Sequence, residues 1–287
     1  MPTNLMTTLR NSMDGFSKGQ KRIANFILEH YDKAAFMTAK SLGNTVGVSE
    51  STVVRFAAEI GYDGYPHMQK ELQDMLRTQL TAVQRIEVTS HLLHGHNILK
   101  QVLESDIAKI NYILATTDDA VFEQALELLL NAKNIYIVGL RSSSFLAGYM
   151  GLYLNLLFGR TTVITSTADG DIFERILHIG EGDLLIGISF PRYSKRMPNV
   201  LQFAKDRGAS LVTITDSMTS PIAAISNCSL LAPCETASFV DSLVAPMSLI
   251  NALIVSLGIR RKDEISKTFE VLEDIWDEYG TYERIEN

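Results

Sequence analysis

The pattern of hydrophobic residues changes near residue 134, and this change constrains the fold more than any other feature. Before it, the sequence has no strand-like alternation and is typical of consecutive helices. After it, short β-branched runs alternate with helical segments, as in βαβ units with a buried parallel sheet. The runs are 134–139, 161–165, 183–190, 210–215 and 228–233. The sequence therefore predicts an all-α N-terminal domain and an α/β domain with a five-stranded parallel sheet flanked by helices.

The length of 287 residues corresponds to about two domains. We predict a helical domain over 1–80, a linker over 81–97 and an α/β domain over 98–287. The first residues lack the basic start and continuous apolar core of a signal peptide. An apolar run at 146–158 is too short to span a bilayer. These features predict a cytoplasmic protein with no membrane partner.

The two cysteines, Cys228 and Cys234, are too few for a disulfide framework, and we expect reduced, half-buried thiols. The net charge of −7 is unevenly distributed. Residues 1–80 carry nine Lys/Arg and eight Asp/Glu, which leaves the whole acidic excess in the remainder of the chain. Nucleic acid is therefore tolerated in the N-terminal domain.

Residues 41–62 have the pattern of two short helices joined at a glycine. Gly47 permits a sharp turn, Val48 can fill the angle between the helices, and Ser49 is a candidate N-cap. The second helix is expected to bury one apolar stripe, made of Val53, Phe56, Ala57 and Ile60.

A recognition helix presents its N-terminal side chains to base edges in the major groove. The outward-facing residues that suit this role are Ser49, Glu50, Ser51, Thr52 and Arg55. Lys18 and Lys21, on an earlier helix, are candidate phosphate contacts. On spacing alone, any two short helices around a glycine give the same pattern, so a purely structural role stays open at this point.

The N-terminal segment resembles the DNA-binding domain of the MurR/RpiR family of transcription regulators. That family has a VS-x-x-T-[VI]-x-RF recognition helix followed by LG-[YF]-x-G-[YF]. The matching residues here are Val48, Ser49, Thr52, Val53, Arg55, Phe56, Ile60, Gly61, Tyr62, Gly64 and Tyr65. The resemblance implies a helix-turn-helix domain that binds double-stranded operator DNA.

Ligands of open parallel sheets bind beyond the C-terminal ends of the strands, and two of these ends are rich in groups that bind oxyanions. The first supplies Arg141, Ser142, Ser143 and Ser144. The second supplies Ser189, Arg192, Ser194 and Lys195. Serine hydroxyls at a helix N-terminus and guanidinium groups bind phosphate or carboxylate. Helix capping by one serine, and a solvated face or subunit contact for the cations, are the structural alternatives.

The C-terminal half resembles the sugar isomerase (SIS) domain that the same family carries. SIS loops commonly have the motifs G-x-G-x-S and S-x-S-G-x-[ST]. Here Arg141 replaces the second glycine of the first motif, and Pro191 and Arg192 replace the central Ser-Gly of the second. The resemblance implies a small anionic effector, with a phosphosugar favoured. Glu235 lies in a segment that resembles the part closing the SIS site.

The main alternative is a phosphosugar isomerase with a helical extension. Isomerisation needs a base at the substrate carbon, and neither loop contains histidine. We therefore expect a regulator, with no enzymatic activity and no cofactor. His91, His94 and His96 lack further ligands at metal spacing, so no metal site is expected. Operators of helix-turn-helix proteins commonly have two-fold symmetry that matches a symmetric protein dimer. This symmetry, together with the family resemblance, predicts a homodimer or homotetramer.

Overall fold

The computed structural model describes residues 5–79, 86, 97–166, 168–234 and 240–282. The chain forms two compact units, Met1–Arg85 and Ile86–Asn287, which are described separately. Apart from residues 86 and 97, the predicted linker lies outside the described residues, so the domain boundaries stay predictions.

The first unit is helical. Its helices are α1 (Leu5–Ser12), α2 (Lys18–Glu29), α3 (Tyr31–Ala34), α4 (Ala39–Val46), α5 (Glu50–Glu59) and α6 (Tyr65–Gln79), with a 3-10 turn at Met13–Gly15. Polar caps fix where the helices begin: Ser17 and Gln20 form a capping box at α2, and Thr38 caps α4. The core of the unit includes Leu5, Leu9, Ile23, Ile27, Leu42, Phe56, Met68 and Leu72.

The second unit is an α/β domain. Its elements are α7 (Ile98–Thr116), α8 (Asp119–Asn131), β1 (Ile135–Gly139), α9 (Ser143–Phe158), β2 (Thr161–Ile164), α10 (Asp169–Arg175), β3 (Leu184–Ile188), α11 (Arg196–Asp206), β4 (Ser210–Thr215), β5 (Cys228–Leu231), α12 (Val244–Arg260) and α13 (Lys262–Tyr279). The strands form one parallel sheet in the order β2-β1-β3-β4-β5. The predicted fold class is confirmed. Each observed strand lies within the β-branched run that predicted it.

Both faces of the sheet are covered by apolar side chains. One core contains Ile186 of β3 and lies against α8, α9 and α12. The other core contains the preceding residue, Leu185, and lies against α10 and α11. Cys228 and Cys234 are not joined in a disulfide, and both are buried rather than half-buried as predicted, because they pack in the first of these cores.

Candidate DNA-binding surface and effector site

The predicted recognition helix is α5, and it begins where the sequence predicts. The side chain of Ser49 accepts a hydrogen bond from the N–H of Thr52 at 3.3 Å, which makes Ser49 the N-cap. Glu50, Ser51 and Arg55 are exposed, whereas Thr52 is half-buried. The inner face buries Val53, Phe56 and Ala57 as predicted, with Ile60 half-buried at the C-cap. A row of polar side chains is thus presented to solvent at the start of α5.

The turn before α5 depends on two glycines. Gly47 ends α4 in the left-handed region, with φ of +70°. Gly43 lies in the middle of α4, where a Cβ atom would stand 2.8 Å from the carbonyl oxygen of Val48. The two helices of the motif therefore approach each other too closely for any side chain at position 43.

The predicted phosphate contacts lie on α2, which packs against both α4 and α5. Lys18, the first residue of α2, is exposed, and Lys21 is half-buried. The structure thus brings a basic helix alongside the recognition helix, although α3 and α4 lie between the two in sequence.

In the second unit, the loops after β1 and β3 emerge side by side. The two strands are neighbours in register, with Gly139 opposite Ile188. The chain runs from β1 outwards to β2 and then returns to β3 on the other side of β1. The strand order therefore reverses between β1 and β3. Ligands of doubly wound sheets bind at this kind of switch point. Both predicted anion-binding loops lie there.

The loop after β1 contains the predicted serine run. Ser142 occupies the N-cap position of α9 without a side-chain capping bond, so simple capping does not account for the run. Ser143 is buried, and the hydroxyl of Ser144 donates to the carbonyl of Arg141 at 2.6 Å. The N–H groups of Ser143 and Ser144 donate to the carbonyls of Leu140 and Arg141. The exposed groups of this loop are the Ser142 hydroxyl and the Arg141 guanidinium.

The loop after β3 is tied to the neighbouring strand. The N–H of Ser189 donates to the carbonyl of Ile214 at 3.1 Å, and Ser189 itself is buried. The hydroxyl of Ser194 accepts from a backbone N–H at the start of α11. Arg192 and Lys195 are exposed. This loop therefore presents cations at its surface, while Ser189 is buried and Ser194 is half-buried.

Arg141 and Arg192 have an unusual backbone conformation in common. Their φ angles are +55° and +65°, in the left-handed region that favours glycine, and they are the non-glycine residues of the described chain with positive φ. Each stands where the SIS motifs have glycine. Neither guanidinium forms a hydrogen bond or ion pair with another residue that the structure describes. The loops thus keep the glycine-type backbone while adding two unpaired positive charges.

The structure adds residues that sequence reasoning missed. The hydroxyl of Tyr193 donates to Oδ1 of Asp216, which follows β4, at 2.6 Å. No local sequence signal connects these residues, which are 23 positions apart. Gly43 was also missed, although a glycine within a helical pattern is itself a signal of close packing.

Some predicted residues lie outside the part of the chain that the structure describes. They are Glu235 of the effector site and the three histidines at 91, 94 and 96. Among described residues, no group of three His, Cys, Asp or Glu side chains is arranged to hold a metal ion. No single described helix is long and apolar enough to cross a membrane. Among the described helices, only α12 and α13 taken together reach that length and apolar content, and the two helices are bent by 96° relative to each other.

Two family models match the chain. A helix-turn-helix domain of the rpiR family matches residues 3–79, and the SIS domain matches residues 128–256. A helix-turn-helix unit followed by a SIS domain defines a class of DNA-binding transcription regulators. The chain belongs to this RpiR family. The predicted family, and the expectation of a regulator rather than an enzyme, are confirmed.

Similar proteins agree with this assignment. The chain is 24% identical over 264 residues to the HTH-type transcriptional regulator HexR of Pseudomonas aeruginosa, with 90% of each chain covered. The sugar isomerase domain of an RpiR transcription factor from Sphaerobacter thermophilus superposes with a TM-score of 0.60 at 27% identity, covering 62% of this chain and 99% of that one. The Vibrio vulnificus NanR protein, in complex with ManNAc-6P, superposes with a TM-score of 0.57 at 23% identity, covering 95% and 99%.

Proposed function

We propose that the protein binds double-stranded operator DNA through α5 and that a small anionic metabolite, with a phosphosugar favoured, controls this binding from the β1/β3 edge. One observation carries the effector part of the proposal. Arg141 and Arg192 are exposed, unpaired within the described chain and placed on adjacent loops at the switch point of the sheet. An anion with several oxygens satisfies such a pair of guanidinium groups. The ManNAc-6P bound by NanR supports a phosphosugar as the first ligand to test.

The proposed site uses the predicted residues in different ways. Ser142, Arg141, Arg192 and Lys195 present groups to the ligand, whereas Ser143, Ser144, Ser189 and Ser194 shape the loops. Glu235 is retained as a predicted contact from the segment that follows β5. An effector acts only through different affinities for two states of the protein, so ligand binding must shift the arrangement of the recognition helices.

We also propose that the second unit joins copies of this chain into a homodimer or homotetramer. Helix α13 buries none of its described residues, yet it carries Phe269, Val271, Ile275 and Tyr279. Exposed apolar side chains of this number mark an association surface. A second copy is the partner that a two-fold operator requires. Light scattering of the full chain tests this, and a monomer at micromolar concentration contradicts it.

We propose further that the protein acts in the cytoplasm, where it meets its operator DNA.

The DNA half of the proposal is tested by fluorescence anisotropy on the DNA upstream of the protein's own gene and its neighbours. Arg55→Ala is expected to lower operator affinity by about tenfold or more, because one bidentate base contact is worth about 1–3 kcal/mol. Lys33→Ala, which removes an exposed charge from α3, is the control. Equal affinity of Arg55→Ala and wild type would remove Arg55 from operator recognition.

The effector half is tested by calorimetry with glucose 6-phosphate, ribose 5-phosphate, ManNAc-6P and inorganic phosphate. We expect Arg192→Ala to weaken binding of the ligand that responds and to abolish its effect on operator affinity, without weakening ligand-free DNA binding. Lys133→Ala, at the opposite end of β1, is the matched control. Retained effector binding in Arg192→Ala would contradict the site, and lost DNA binding would make the loop structural.

A further inference from the structure

The side chain of Arg22 lies over the turn of the helix-turn-helix motif. Its Nη1 atom is 3.1 Å from the position that a Cβ atom on Gly47 would take. Arg22 is exposed, and its guanidinium has no hydrogen bond or ion pair with any other residue in the described chain. A cation therefore lies at the point where the chain enters the recognition helix, and no described residue neutralises it.

The position of Arg22 is fixed by the packing of α2 against α5. Gly19 lies close to the turn and to the start of α5, since a Cβ atom there would lie 3.5 Å from Val48 Cγ1 and 3.9 Å from Thr52 Cγ2. The Nε2 of Gln20 donates to the carboxylate of Glu59 at the far end of α5. These contacts hold α2 at both ends of the recognition helix, so that side chains of α2 keep a defined place beside it.

Lys18 and Arg22 are four residues apart, so they lie on the same face of α2. Gly47 comes two residues before Ser49, the N-cap of α5. Duplex DNA that receives the first turn of α5 in its major groove brings a backbone strand past the turn as well. Arg22 meets that strand as an exposed guanidinium, a group that binds phosphate by paired hydrogen bonds.

We propose that Arg22 is a phosphate-binding residue that orients α5 on the DNA without contributing to sequence readout. The inference rests on the proposed function, because it needs α5 to enter the groove. It extends the DNA surface from the recognition helix to α2, where Arg22 acts together with Lys18. A role confined to covering Gly47 makes different predictions, since such a role leaves the salt dependence of DNA binding unchanged.

The test compares Arg22→Gln, Arg22→Lys and the charge-matched control Lys33→Gln in the full chain. Anisotropy is measured on an operator duplex and on a scrambled duplex of equal length, over about 50–200 mM salt. Arg22→Gln is expected to weaken binding to both duplexes by the same factor. It should also reduce the slope of log affinity against log salt by about 0.9, the value for one lost phosphate contact. Arg22→Lys should keep the slope, and Lys33→Gln should match the wild type.

An unchanged slope in Arg22→Gln would overturn the inference, and so would weaker binding to the operator alone, which marks a base-reading residue. Thermal unfolding monitored by circular dichroism accompanies each variant. If Arg22→Gln unfolds the first unit, Arg22→Lys decides between the two roles of Arg22. An Arg22→Lys variant that also fails to fold makes Arg22 structural and overturns the inference. Failure of the proposed function is recognised separately, because the wild-type protein would then show no preference for any operator.

Discussion

The hydroxyl of Tyr193 donates a hydrogen bond to Oδ1 of Asp216 at 2.6 Å, which ties the loop after β3 to the end of β4. The hydroxyl of Thr215 donates to the same carboxylate oxygen. Tyr193 follows Arg192 directly, so the bond fixes the peptide next to the left-handed arginine. The loop in which Pro191 and Arg192 replace the Ser-Gly pair of the SIS motif is thereby anchored to the end of β4.

Removing this hydrogen bond should loosen the loop. We expect Tyr193→Phe to lower the free energy of unfolding of the second unit by about 1.5–3 kcal/mol, the range for a hydrogen bond to a charged group. Urea unfolding measures the change, and calorimetry measures the accompanying loss of effector affinity. Tyr112→Phe, which removes a hydroxyl from an exposed side chain on α7, is the control. Equal stability of the Tyr193 and Tyr112 variants would show that the bond contributes nothing.

Gly139 should not tolerate a side chain. A Cβ atom there would lie 2.4 Å from the carbonyl oxygen of Ser143 and 2.8 Å from Cβ of Ala147, so β1 and α9 would have to separate. We expect Gly139→Ala to destabilise the second unit by about 1–3 kcal/mol, as overpacking does. In Gly148→Ala the new methyl group meets nothing within 4 Å, and the helix should gain about 0.5–1 kcal/mol. Urea unfolding of the pair gives the comparison, and similar effects of the two changes would contradict the close approach.

Gly43 should be equally intolerant, for a reason that bears on DNA binding. Its Cβ atom would lie 2.8 Å from the carbonyl oxygen of Val48 and 3.4 Å from the N–H nitrogen of Glu50, which are backbone atoms that cannot rotate away. We expect Gly43→Ala to displace α5, to destabilise the first unit by about 1–3 kcal/mol and to weaken operator binding. Circular dichroism and anisotropy provide the measurements. Gly15→Ala is the control, since nothing lies within 4 Å of that position. Wild-type operator affinity in Gly43→Ala would be inconsistent with a fixed angle between α4 and α5.

The thiol of Cys228 should react slowly. Burial raises its pKa to about 11, and its Sγ donates to the carbonyl of Val121. Only the thiolate is nucleophilic, so at pH 8 the reactive fraction should be about 100-fold smaller than for a thiol of pKa 9. Because the folded pKa lies above the unfolded one, the protonated thiol favours folding, and this contribution is lost as pH rises from about 9 to 11. Mass spectrometry after thiol alkylation tests this, with the urea-unfolded chain as control. Rapid labelling of native Cys228 at pH 8 would contradict its burial.

Local signals in the sequence determined the elements of this protein. The β-branched runs predict all five strands, because a buried parallel strand needs continuous apolar side chains. Ser17 and Ser49 cap the helices that they precede in the sequence, because a cap acts within three residues of its own position. The helix-turn-helix motif and the two loops proposed to bind the effector were identified for the same reason: the residues of each are neighbours in sequence.

Tertiary structure alone decided which of these elements meet. The strand order, which places the loops after β1 and β3 side by side, depends on how distant helices cover the sheet. The approach of Gly43 to Val48, the position of Arg22 over Gly47 and the bond from Tyr193 to Asp216 likewise join different elements. Local propensity has no information about such pairs, because their geometry follows from the packing of whole helices and strands against one another.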